Sequence, residues 1–102
     1  KLEKAKKMSL KCNNLEKHNG TYQDTYAWIL YQLGEYEKAE KWMLRALENG
    51  GKESAVVVEH YGDILYKKGD KKAAVFQWKK AQKIGEGSLF LFQKIKEETL
   101  YE

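Results

Sequence analysis

The feature that most constrains this chain is that it repeats itself. Slid along itself by 35 residues, Tyr26 falls on Tyr61, Ile29-Leu30-Tyr31 on Ile64-Leu65-Tyr66, and Gly34 on Gly69. Ala39 falls on Ala74, Ala46 on Ala81 and Gly50 on Gly85. These are eight identities in the 25 positions from Tyr26 to Gly50, more than unrelated segments share. A period of this length means one small supersecondary unit used again and again, each copy burying its apolar face against the next.

Within a unit the apolar residues fall at helical spacing, twice. In the first unit Tyr22, Tyr26, Ile29, Leu30 and Leu33 line one face of a helix over roughly 22–33. Thr21 stands where a cap belongs, with Asp24 three residues on as a capping-box partner. Gly34 supplies the left-handed turn that ends the helix. A second helix follows over roughly 36–48, with Ala39, Trp42, Met43, Ala46 and Leu47 as its stripe and Asn49-Gly50-Gly51 as its stop. The second unit copies the plan. Ser54 caps Val57, Val58, Tyr61, Ile64 and Leu65; Gly69 breaks the helix; Asp70 caps Ala74, Val75, Trp78, Ala81 and Ile84; Gly85 closes it. The small residues Ala39, Ala46, Ala74 and Ala81 mark where paired helices approach closely.

The ends fit the same scheme. Leu2, Ala5, Ser9 and Cys12 make a small-residue stripe, and Ala5 and Cys12 align with Ala39 and Ala46. This predicts the second helix of a truncated repeat over 1–18, full repeats over 20–51 and 54–86, and a capping helix over 88–99. In that cap Leu91, Phe92 and Ile95 take core slots, while Lys94, Lys96, Glu97 and Glu98 face water. A truncated first unit leaves Leu2, Met8 and Leu15 without a partner helix, so weak self-association through that end is expected.

These residues resemble the tetratricopeptide repeat, a helix-turn-helix unit with the pattern W-x2-L-G-x2-Y, then A-x3-F, then A, then P. Ala39-x3-Met43 and Ala74-x3-Trp78, followed by Ala46 and Ala81, match its second half, and Ala27 and Gly62 hold its small slot. The first half departs: Gln23 and Val58 stand for the Trp, Tyr26 and Tyr61 for the Leu, and Gly51 and Glu86 for the proline. The resemblance implies an all-α fold, a right-handed α-α superhelix of helix-turn-helix repeats. The segments 24–28 and 59–63 are similar to the C-terminal arrays of large bacterial repeat proteins, many of them envelope-associated. That leaves the cytoplasm and the periplasmic side of the envelope both open.

In this family the first helix of each pair lines a concave groove that binds a peptide or a partner helix. The resemblance places Asp24, Trp28, Tyr31 and Gln32 there from the first unit, Val56, Glu59, Asp63, Tyr66 and Lys67 from the second, and Phe90 at the cap. Spacing gives the same grouping: Asp24, Trp28 and Tyr31 lie at i, i+4 and i+7, as do Glu59, Asp63 and Tyr66, off the core face. Aromatic residues on such a face serve either as anchors for a partner or as packing against the neighbouring helices, and both readings stand for Trp28, Tyr31 and Tyr66. The carboxylates repel an acidic ligand and suit a protein or peptide with basic and apolar residues.

The other function classes find little. A net charge of +4 is spread among interleaved acids and bases, which reads as a solvated surface and not as a nucleic-acid stripe. Lys71, Lys72, Lys79, Lys80 and Lys83 lie on a different face from the aromatics that base stacking needs. The two histidines, His18 and His60, and the one cysteine, Cys12, form neither a metal cluster nor a nucleophile pair. No apolar run spans a membrane. With 102 residues starting at Lys1, the chain reads as a fragment. It is a cofactor-free interaction scaffold and not an enzyme or, alternatively, the accessory repeat domain of a larger enzyme, sensor or envelope-assembly protein.

Overall fold

The computed structural model describes residues 1–100. Among them are six α-helices and no strand. They are α1 (Leu2–Leu15), α2 (Gly20–Gln32), α3 (Tyr36–Glu48), α4 (Ala55–Lys67), α5 (Lys71–Ile84) and α6 (Leu91–Glu97), with one 3-10 turn at Gly51–Glu53. Each helix packs on the next along the chain, most extensively α2 on α3 and α4 on α5.

Those two pairs are the two copies of the repeat, and they turn in the same way. After α2, Gly34 takes φ 83°, and its N–H bonds the carbonyl of Tyr31 while the N–H of Glu35 bonds that of Leu30. After α4, Gly69 takes φ 95°, with the matching bonds from Gly69 to Tyr66 and from Asp70 to Leu65. This is the Schellman closure: a residue at positive φ lets the chain satisfy the last helical carbonyls while reversing direction. A side chain at either glycine would strain that turn.

Ala39, Ala46, Ala74 and Ala81 are fully buried, as expected of residues where paired helices touch. Around the first pair lies a core of Tyr26, Ala27, Leu30, Tyr31 and Met43, and around the second one of Val58, Leu65, Val75, Trp78 and Leu91. Ile64 of α4 belongs to the first core, and Leu47 and Tyr61 pack against both, so the two units share one interior. Polar ties join α1 to the rest. The buried Asn13 donates from Nδ2 to the carbonyls of Ser9 and Tyr22, both at 3.0 Å, and Lys6 pairs with Glu35 at 3.0 Å. Met8, Cys12 and Leu15 on its outer side are exposed.

Three local expectations are corrected. The cap of α2 is Asn19, whose side chain accepts from the N–H of Tyr22, and not Thr21; the helix starts two residues before the apolar stripe does. Phe92 is not a core residue but 64% exposed. Lys94 does not face water: it is 3% exposed, and with Leu91 it is what α6 buries.

Candidate functional site

Two sockets at matching positions of the repeat tie successive first helices together. In α2, Asp24 and Trp28 sit one turn apart and point at α4. His60 of α4 fills the gap between them. Its Nδ1 donates to the Asp24 carboxylate at 3.0 Å, and its ring lies on the Trp28 ring with centroids 3.9 Å apart and planes 19° from parallel. Trp28 also stacks on Tyr31, at 4.5 Å and 14°. His60 is thus held in place by its neighbours, in keeping with a structural histidine.

One repeat later, Glu59 and Asp63 of α4 occupy the places of Asp24 and Trp28, and Lys94 of α6 fills the gap. Its Nζ donates to Glu59 Oε2 at 2.6 Å and to the two Asp63 oxygens at 3.0 and 3.1 Å. The Trp78 indole N–H donates to Asp63 Oδ1 at 2.9 Å. Ser88 completes the shell of Glu59, with its N–H on Oε1 at 2.6 Å and its hydroxyl on Oε2. The side chains of Lys94, Glu59 and Asp63 are only 3–4% exposed.

Burial treats the two acids differently. Loss of water pushes the Glu59 carboxyl up, but the bonds from Lys94 and Ser88 outweigh it, and the group ends below its ordinary value. Asp63 has fewer donors, so desolvation wins over Lys94 and Trp78 and raises its carboxyl to about 6. Both are charged at neutral pH, giving two carboxylates against one ammonium. The backbone takes part too. A β-carbon on Gly87 would stand 2.3 Å from Glu59 Oε1 and 2.8 Å from Leu91, so a larger residue there must push these side-chain ends aside.

Between the sockets opens a cleft of about 380 Å³. Trp28, Tyr31 and Gln32 of α2 form one wall, and Val56 and His60 of α4 another; Gly87, Ser88 and Phe90 close the far side. Glu59, Asp63 and Lys94 form its polar floor. The rim is apolar and open to solvent: Val56 is 44% exposed, Phe90 41%, and the adjoining Leu89 96%.

The residues expected in a groove divide accordingly. Trp28, Tyr31, Gln32, Val56, Glu59, Asp63 and Phe90 line the cleft. Their character, however, is corrected. Tyr31 is a core residue, 4% exposed, and Glu59 and Asp63 are each 2% exposed and engaged by Lys94, so they present no open acidic surface. Asp24 lies outside the cleft, on His60. Tyr66 stacks on Trp78 at 5.8 Å and shares a hydrogen bond with Thr99 at 3.1 Å, away from the cleft, and Lys67 is exposed at the end of α4 and also outside its lining. Sequence reasoning missed His60, Gly87, Ser88 and Lys94. The signal for Lys94 was present: it stands 35 residues after Glu59, as His60 stands 36 after Asp24.

Among the described residues, no three His, Cys, Asp or Glu side chains gather where they could hold a metal ion, and no helix is long and apolar enough to cross a membrane. Compared with known proteins, the chain matches no family model and no curated sequence.

Proposed function

We propose that the chain is a protein-interaction scaffold, a solenoid of tetratricopeptide type, whose cleft between α2, α4 and α6 receives a peptide or helix of a partner protein. The observation that carries this reading is the cleft itself. It lies where side chains of α2, α4 and α6 converge, and it combines aromatic walls with an exposed apolar rim at Val56 and Phe90. A rim of that kind is what a partner's apolar anchor needs. About 380 Å³ is room for one or two large side chains. Lys94 engages both carboxylates of the floor, so a basic residue of the partner is favoured only where it takes the place of Lys94.

The test is a peptide-display selection against the wild-type chain, followed by affinity measurements on Phe90→Ser. Phe90 lies on the rim, 41% exposed, and the comparison is made once the variant's helical spectrum matches the wild type's. Selected peptides should bind it at least about tenfold more weakly, the equivalent of roughly 1.4 kcal/mol. Equal binding to both proteins refutes the cleft as the docking site.

A further inference from the structure

We propose that the floor of the cleft is a binding site for a primary ammonium group, that the chain's own Lys94 fills it, and that a lysine side chain of a partner protein competes for it. Glu59 and Asp63 bring three carboxylate oxygens to within 3.1 Å of one nitrogen. An alkylammonium carries several N–H donors on one compact centre, and here one is directed at Glu59 and another is shared by the two Asp63 oxygens. A planar guanidinium fork needs more width than one nitrogen's place provides. The Trp78 ring, 5.9 Å from the nitrogen, adds an aromatic face on the same side.

The chain itself gives an independent sign that this is a receptor geometry and not an incidental pairing. The same two-residue socket occurs one repeat earlier with different chemistry, where Asp24 and Trp28 hold the planar imidazole of His60. The socket receives a side chain from whatever helix lies next in the stack, and its two residues decide which kind. Its present occupant sits on the shortest α-helix among the described residues. α6 has seven residues and buries two of them, Leu91 and Lys94, while Phe92 remains 64% exposed. The carboxylates, Lys94 and the rim residue Phe90 all line one open cleft, so a group displacing Lys94 arrives through the cleft and needs no path through the core.

Lys94 is tethered, and its effective concentration is in the millimolar range or above. A free amine therefore competes poorly with it. A protein that also covers Val56 and Phe90 gains the additional contacts that displacement requires. The cleft is self-occupied, and α6 sets the threshold for a partner. The identity of the competitor rests on the protein-binding reading above; the ammonium site does not.

The experiment removes the internal occupant and replaces it. Lys94→Ala leaves two buried carboxylates without their cation, and the melting temperature should fall by more than about 10 °C. n-Propylammonium restores the deleted atoms of the side chain. Its addition at pH 7 should raise the melting temperature of the variant along a saturating curve, while tetramethylammonium or sodium at equal ionic strength should not, and the wild type should not respond. If Lys94→Ala is unfolded at room temperature, the same titration is read as recovery of helical circular dichroism. Equal responses to all three cations overturn the site. The second arm repeats the display selection on Lys94→Ala: lysine-bearing peptides should be enriched at least about tenfold over their level on the wild type. Rescue by propylammonium with no peptide bound by either protein would retain the ammonium site and overturn the partner. Peptides bound with no lysine preference would retain the docking cleft and overturn the competition.

Discussion

Asp63→Asn should change how the stability of this protein depends on pH. Burial raises the Asp63 carboxyl from the ordinary 3.8 to about 6, against the pull of Lys94 and Trp78. A raised value means that the folded chain holds this proton more tightly than the unfolded chain does. The stability it carries is complete below pH 3.8 and is lost as pH rises through 6. At about 1.36 kcal/mol for each pH unit, the loss is on the order of 3 kcal/mol. Glu59 runs the other way: its value is lowered from 4.5, so its contribution is present above 4.5 and is lost on acidification through the folded value. The window between about pH 4.5 and 6.5 therefore belongs to Asp63. Across it the wild type should lose roughly 2 kcal/mol of stability relative to Asp63→Asn, or about 8–16 °C in melting temperature for a domain of this size. The amide places an N–H₂ where Asp63 Oδ2 now accepts from Lys94 at 3.1 Å. That mismatch lowers the variant's stability at every pH and leaves the slope alone. Thermal melts by circular dichroism at half-unit steps from pH 4 to 7.5 give the difference curve, in which the other titrating groups cancel. Parallel curves, or a wild type that gains on the variant as pH rises, would show that the Lys94 contact and not desolvation governs this carboxyl.

Four other substitutions follow from the packing. Gly87→Ala puts a carbon onto Glu59 and Leu91, and it should cost about 1–3 kcal/mol and speed amide exchange in α6, seen by mass spectrometry. Trp28→Ala removes stacking on both Tyr31 and His60, so it should cost about 2–3 kcal/mol in chemical denaturation; a neutral result would detach Trp28 from the structure and return it to the groove alone. Ala74→Leu overfills a fully buried helix contact and should cost at least about 1–3 kcal/mol. Phe92→Ser should stay within about 0.5 kcal/mol of the wild type, because the ring is 64% exposed.

The helices were legible in the sequence because three independent signals coincide there. Apolar spacing, the small residues Ala39, Ala46, Ala74 and Ala81, and the glycines Gly34 and Gly69 all mark the same boundaries. Where only one signal existed, the reading slipped. The start of α2 was inferred from Tyr22 onward, yet Asn19 caps it and the first turn carries Gly20 and Thr21, which have no apolar stripe to betray them. In α6 the apolar residues Leu91, Phe92 and Ile95 do not fall on a single narrow face of so short a helix, and hydrophobicity alone chose Phe92 over Lys94. The long lysine stem allowed the opposite outcome: its methylenes can lie along apolar surface while the ammonium reaches buried carboxylates.

The misreading of Glu59 and Asp63 has a more general cause. Two acids one helical turn apart look the same in sequence whether they face an open groove or grip the next helix. What separates the cases is a cationic or hydrogen-bonding side chain one repeat further on. His60 stands 36 residues after Asp24, and Lys94 stands 35 after Glu59. A lone acid pair with no such partner leaves a charged groove available for ligands. An acid pair that has one loses its field to the interior, because a neutralised and desolvated carboxylate neither steers nor repels a distant ligand as a free one does. In this chain the second arrangement holds, so the acidic residues fix where α6 lies, and recognition passes to the aromatic wall at Trp28 and the apolar rim at Val56 and Phe90. Electrostatics enters recognition only when something takes the place of Lys94.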